Sequence, residues 1–379
     1  MKINTDFVHP EDAPELQKTA RKTFLKNLPL RVRAFDNAVI DPNRGVLPPF
    51  DAITPPPPQI NEAVVFIDTF GACWGHCITD HLRRLWFYFS KEHAALKNLK
   101  FIFIDSQWPR SVLTLDNFWA MLQTLGIARE KFHLLCKPTR FACVFVPDPC
   151  FFYDVHLNHL YYTKEFLDFF NKLPQLKPPP NLNIEKIYLS RTAFKNRRDC
   201  NEKDVENCFK NQGFTIIYPE KLDFLTELSI LQNCKVFATT DGSIAHNFLF
   251  CQPKTTSIIC RKTRHATEYQ MAIHSFKNAN VFYIDVGFSP FLYARHGKDD
   301  WWGGPFFLYE TKYLRRFFNL PLKKTFPFLK FFKYFLFFID TKFLVWTHHL
   351  RGKLKIGTKI RQLLNKIKGL PWIFSKYFP

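Results

Sequence analysis

The chain has 379 residues, 46% of them hydrophobic and 23% charged, with a formal net charge of +20. That length and balance describe a folded protein with more than one core and exclude an intrinsically disordered chain. No uninterrupted apolar run approaches the roughly 20 residues of a membrane span, and the polar, acidic start MKINTDFVHPEDAPEL does not read as a signal peptide.

Taken in chain order, residues 1–30 read as an N-terminal arm with a short basic helix, ELQKTARKTFLKNL. RVRAFDNAVIDPNRGVLPPF is extended, and the run Pro55–Pro58 marks a stiff connector. VVFIDTF is a strand that runs into the turn GACWGHC. ITDHLRRLWFYFSKEHAAL then predicts a helix, because Ile78, Leu82, Leu85 and Phe89 recur at three and four residues. KFIFID is a further strand and LDNFWAMLQTLGI a helix ending at a glycine. KLPQLKPPPNLN, residues 172–183, has the composition of a linker and sets the expected domain boundary.

Beyond it, strand and helix alternate: EKIYLSR, EKDVENCFKNQG, FTIIYP, DFLTELSILQNC, KVFATT, GSIAHNFLFC, TTSIIC, TEYQMAIHSF and NVFYIDV. That alternation predicts an α/β fold with a parallel, doubly wound sheet, and the first half repeats the theme less cleanly. Two such domains facing one another would hold a ligand at the carboxyl ends of their strands.

The charge and the cysteines belong to different regions. From Lys312 to Pro379 there are 16 Lys or Arg and one acid, Asp340, so this stretch carries +15 of the +20. The rest is near neutral and shows no nucleic-acid-binding motif, which argues against nucleic acid as a partner. The ten cysteines are spread singly with no CxxC pair, which suits reduced thiols in core positions better than a zinc site or a disulfide framework.

Three segments carry chemistry. In YLSRTAFKNRRDCNE a strand delivers Arg191 to its carboxyl end, Arg197 and Arg198 follow in the loop, and Asn201 and Glu202 open a helix with Asn201 as N-cap. Guanidinium groups beside a helix N-terminus suit a diphosphate, although any one of these arginines alone would read as a solvated loop residue. In VFATTDGSIAHNFLF a hydrophobic strand meets Asp241, Gly242 and Ser243, where open backbone could approach a phosphate or ribose; taken alone this is an ordinary strand–turn–helix corner. In GACWGHCITDHLRRLW, His76 and Asp80 lie one helical turn apart. The ordinary alternative is that Asp80 pairs with Arg83 or Arg84 and His76 caps the helix. A metal site from His76, Asp80 and His81 lacks supporting spacing, and no Asp-x-Asp occurs in the chain.

In chain order the three segments resemble glycosyltransferase family 61. The matching marks are His76 with Asp80, then Arg191, Arg197, Arg198, Asn201 and Glu202, then Gly242, Ser243 and Asn247. Asp241 stands where the family usually has His, a departure that points to a ribose contact or a different donor. The resemblance covers roughly residues 31–290 and implies a GT-B-like architecture of two Rossmann-like domains across a cleft. The domains would be an acceptor-side one at 31–174 and a nucleotide-sugar-binding one at 175–300, with a basic tail at 301–379. It implies inverting transfer from a nucleotide-diphosphate sugar to a bacterial capsule or lipooligosaccharide acceptor, with Asp80 as base, His76 as its helper or rival, and no cofactor or essential metal. A phosphotransferase of surface polysaccharide assembly would use the same arginines. For the aromatic, basic stretch 340–379 the expectation is a helix lying on an anionic membrane, on the inner face of the cytoplasmic membrane, while 305–335 could equally pack back on the fold.

Overall fold

The computed structural model describes residues 1–25, 29–47, 56–96, 99–107, 110–157, 159–180, 182–194, 199–263, 268–288, 306–322 and 326–336. The fold is mixed α/β, with parallel strands in several sheets. The most regular of these has six strands in the order Thr215–Ile217, Lys186–Leu189, Val236–Thr240, Thr256–Arg261, Asn280–Asp285 and Lys2–Phe7, every neighbouring pair parallel. Its central strands are buried along almost their whole length, as strands covered on both faces are. The chain leaves Lys186–Leu189 in one direction for Thr215–Ile217 and returns past it to Val236–Thr240. The reversal puts a topological switch point at the carboxyl ends of Lys186–Leu189 and Val236–Thr240, where α/β sheets bind ligands.

The outermost strand corrects the expected N-terminal arm. Lys2–Phe7 completes this sheet beside Asn280–Asp285, which would otherwise be an open edge. Buried Arg261 then holds Asp12 at 2.9 Å and Asp285 at 3.2 Å, and the His9 N–H donates to Asp285 Oδ2 at 2.7 Å. A polar hexapeptide carries no sign of a partner nearly 280 residues away. The helix that follows is Ala13–Ala20, shorter than its basic composition suggested.

The second large sheet is mixed. Thr139–Pro147, Gln59–Phe70, Lys100–Asp105 and Phe132–Leu134 are parallel, while the extended segment after residue 30 adds Val32–Asp36, Val39–Asp41 and Gly45–Leu47 antiparallel at one side. One core cluster runs from Val65, Phe103 and Phe118 under this sheet to Leu228, Phe248 and Ile273 in the second half. The proline-rich segment between the halves is largely exposed, yet its backbone is tied to the second half. Gln232, on helix Phe224–Asn233, accepts from the Leu176 N–H and donates to Pro174 O, both at 2.9 Å, and Ser229 Oγ donates to Lys177 O at 2.6 Å.

Two expected helices are broken. ITDHLRRLWFYFSKEHAAL becomes the helical turn Trp74–Cys77, 3-10 turns at Asp80–Leu82 and Leu85–Phe89, and a short helix Lys91–Ala95. Side chains outbid regular helix here: Thr79 Oγ1 donates to Gly75 O at 2.7 Å, Arg83 and Arg84 both reach back to Asp68, and Trp86 Nε1 donates to Asp148 O at 2.8 Å. Likewise SIAHNFLF is a 3-10 segment, Ser243–Phe250. The ten cysteines are free, six of them buried and Cys136 exposed.

The first part of the basic tail packs back on the fold. Phe306–Leu308 pairs with Asp199–Cys200 and Gly287–Phe288, helix Lys312–Phe317 packs on Lys2–Phe7 and Asn280–Asp285, and a helix over 328–336 buries Tyr334. Arg197, Arg198 and the stretch 340–379 lie outside the described residues. Among the described residues no helix is long and apolar enough to cross a membrane.

Candidate active site

Strand Lys186–Leu189 ends in Ser190, whose hydroxyl donates to buried Glu206 at 2.7 Å, and then releases Arg191 at the rim of the sheet. The Arg191 guanidinium is 3.9 Å from buried Asp199 and lies over the Phe194 ring. The Arg191 backbone N–H donates to Glu202 Oε1 at 3.1 Å. Asn201 occupies the position before helix Glu202–Asn211 but is no acceptor cap. In left-handed backbone (φ 61°) it turns its amide to donate to Leu308 O at 2.8 Å and Asp204 Oδ2 at 2.9 Å. Glu202 is buried; burial and the Asp199 charge push its carboxyl up to about 7, and Tyr188 donates to it at 3.2 Å.

On the neighbouring strand, Val236–Thr240 delivers Asp241, Gly242 and Ser243 to the same rim. Gly242 sits at φ 111°, a backbone that L-residues rarely adopt. Asp241 is engaged by Lys262, the residue after strand Thr256–Arg261. The Lys262 N–H donates to Asp241 Oδ1 at 3.3 Å, and its ammonium lies 3.8 Å from that carboxylate and 3.3 Å from Asp199. Burial raises the Asp241 carboxyl to about 6 even with Lys262 pulling it down. Asp241 therefore fixes Lys262 between two acids, beside Arg191. Lys262 was missed in the sequence, although it stands one residue past a strand end, nearly as Arg191 does.

The opposite wall comes from the first half. His76 Nδ1 and Asp80 Oδ2 are 2.5 Å apart, and Tyr269, on helix Glu268–Phe276, donates to Asp80 Oδ1 at 3.2 Å. Burial and the Asp80 charge push the Tyr269 hydroxyl well above its ordinary value. Asp80 pairs with neither nearby arginine: Arg83 and Arg84 are taken by Asp68 at 2.5 and 3.2 Å. The charges of Arg83 and Arg84 outweigh the burial of Asp68 and hold its carboxyl below the usual range. His81 points into the core, stacked on Phe70 at 4.9 Å, and burial lowers it to about 4. Among the described residues no three His, Cys, Asp or Glu side chains are grouped to hold a metal ion.

The two walls meet at Gly75. A Cβ there would come within 2.8 Å of His246 Nδ1 and 3.0 Å of Ser243 Oγ, so only glycine lets the His76 turn rest on the Gly242–Ser243 turn. Cys73 Sγ lies 3.5 Å from Ser243 Oγ, and Trp74 Nε1 donates to Asn247 Oδ1 at 2.5 Å. Asn247 is thus buried as the anchor of Trp74. His246, absent from the sequence reading, is kept neutral by burial, which takes it down to about 4, and stacks on Tyr269. Arg191, Asp241, Gly242, Ser243, His76 and Asp80 therefore share one locality, with Lys262, Tyr269 and His246 added to them.

No curated protein matches the chain. Residues 74–259 match the family model described as Glycosyltransferase 61, a span that runs from Trp74 through Arg191, Gly242 and Asn247 and stops just short of Lys262 and Tyr269. Over this span, just under half of the chain, the protein is similar to glycosyltransferase family 61.

Proposed function

We propose that the protein is an inverting, GT-B-type glycosyltransferase. It moves a hexosyl or pentosyl group from a nucleotide-diphosphate sugar to a bacterial surface glycan, capsule or lipooligosaccharide, without an essential metal. It works peripherally at the inner face of the cytoplasmic membrane, with 340–379 against anionic lipid. The observation that carries the catalytic reading is the contact at Gly75, which sets a His–Asp pair against the turn at a sheet's switch point, one strand from Arg191 and one from Lys262.

In this mechanism the acceptor hydroxyl oxygen attacks the anomeric carbon from the face opposite the diphosphate. Its proton passes to a base as the carbon–oxygen bond to phosphate breaks, and the leaving nucleotide diphosphate keeps the electron pair. Arg191 and Lys262 supply positive charge at the leaving group. Asp241 and Asp199 hold Lys262 in place. His76 is a better base than Asp80 in this reading, because both Asp80 oxygens are already engaged, one 2.5 Å from His76 Nδ1 and the other accepting from Tyr269. A carboxylate on Nδ1–H leaves the basic lone pair on Nε2, the division of labour of a His–Asp pair.

The test is transfer from a panel of nucleotide sugars, chosen by thermal shift and run in EDTA. His76→Ala should lose on the order of 10²–10⁴ in kcat/KM. Activity lost in EDTA and restored by manganese would overturn the metal-free reading. Near-normal transfer by both His76→Ala and Asp80→Asn would overturn the assignment of the pair.

A further inference from the structure

The helix over 328–336 has its apolar residues on both sides. Its inner side carries Tyr334, buried against Phe307 at 5.4 Å between ring centroids, and Phe331, 5.5 Å from the same ring; Lys330 is held by Asp204 at 2.6 Å. Its outer side presents Phe328, Leu329, Phe332 and Leu336, exposed at 71, 85, 59 and 40%. Positions 328, 329, 332 and 336 fall within one stripe of a 3.6-residue helix. A monomer seldom leaves such a contiguous set of large apolar side chains in water without a use for it.

Charge narrows what can cover the stripe. Exposed Lys333 flanks it, and residues 337–379 add nine Lys or Arg against a single acid, Asp340. A second copy would bring the same positive charge to the contact. A surface of acyl chains under anionic headgroups matches both the apolar stripe and the basic surroundings.

We infer that Phe328, Leu329, Phe332 and Leu336 form the face by which the folded body docks on an anionic bilayer. This rests on the peripheral-membrane part of the reading above and moves the contact from the tail to the fold, so it also sets orientation. The docked helix packs on Phe307; the adjacent Phe306 ring lies under the Lys262 ammonium at 5.3 Å. The proposed diphosphate site is thereby held close to the lipid surface, where a lipid-carried acceptor would present itself.

The experiment is sedimentation of the full-length chain with phosphatidylcholine vesicles containing, or lacking, about 30% phosphatidylglycerol. Phe328→Ser/Leu329→Ser/Phe332→Ser should lower partitioning onto the anionic vesicles at least tenfold, with melting temperature and molar mass unchanged. Leu329→Asp, at the most exposed position, should produce a loss of similar size should the triple variant fold poorly. Unchanged partitioning of both variants overturns the inference. It is also overturned if both bind normally while a variant replacing Arg351, Lys353, Lys355, Lys359, Arg361 and Lys366 with Gln does not, since the tail alone would then anchor the chain. A wild-type dimer that becomes monomeric in the triple variant, with vesicle binding intact, would assign the stripe to self-association and overturn it. Wild-type protein that ignores anionic vesicles altogether would remove the peripheral-membrane reading itself.

Discussion

Tyr269 reaches Asp80 from 189 positions away, and its part in the reaction separates positioning from mere packing. Its hydroxyl draws off some of the carboxylate's charge. Tyr269→Phe would leave Asp80, and through it His76, less firmly oriented. The expected outcome is about a tenfold loss in kcat, on the order of one charged hydrogen bond, with KM for the nucleotide sugar and the melting temperature unchanged. A loss in kcat that comes with a matching fall in melting temperature would assign Tyr269 a packing role only. Arg191→Ala and Lys262→Ala should each cost about 2–4 kcal/mol of transition-state stabilisation, measured as kcat/KM with folding checked by circular dichroism. The pair His76–Asp80 was legible because an i,i+4 spacing brings side chains together even in a single irregular turn. Lys262 was not, because its meaning comes from Asp199, 63 residues earlier, and Asp241 on the neighbouring strand.

At the scale of elements, the turn Trp74–Cys77 acts as a rivet between the halves. Hydrophobic spacing predicted one long helix through it, but Thr79, Arg83, Arg84 and Trp86 spend their hydrogen bonds on Gly75, Asp68, Pro147 and Asp148 and break it into turns. The break presents the Gly75 backbone to Ser243 and His246. Gly75→Ala forces a methyl against both, and overpacking of this kind costs about 1–3 kcal/mol. A fall of that size in urea-unfolding free energy, together with reduced transfer, is expected; stability equal to wild type would mean that the two walls part without cost.

For the whole molecule the buried titratable groups set the pH dependence of stability. Glu227 is buried with Oε1 lacking a hydrogen-bond partner among the described residues, and burial with the Glu220 charge pushes it to about 8. Its folded pKa lies above the unfolded value of about 4.3, so the folded state keeps a proton that the unfolded state releases, and stability falls as pH rises from about 4 to 8. Glu202, at about 7, acts in the same sense. His246 and His274, lowered by burial to about 4 and about 3, act oppositely: their contribution grows as pH rises to about 6.5 and is constant above it. Above pH 6.5, of these four groups only the two glutamates still contribute a slope, and it falls. Glu227→Gln should gain stability over wild type by on the order of 2 kcal/mol more at pH 8 than at pH 6, read from urea midpoints; a pH-independent difference would contradict the assignment.

Periodicity along the chain determined the alternating elements from Lys186 to Asp285, because a strand buried on both faces and an amphipathic helix each impose a local pattern that no distant contact is needed to produce. The strand-end positions of Arg191 and Gly242 followed from the same pattern. Tertiary structure alone decided that Lys2–Phe7 closes the C-terminal sheet, that the 172–183 segment is strapped to Phe224–Asn233, and that Lys262, His246 and Tyr269 complete the site. Each of those depends on a partner tens to hundreds of residues away, where the signal is a single ion pair, backbone ladder or glycine contact. Such contacts exist only once the chain has folded, and they leave no periodicity for the sequence to display.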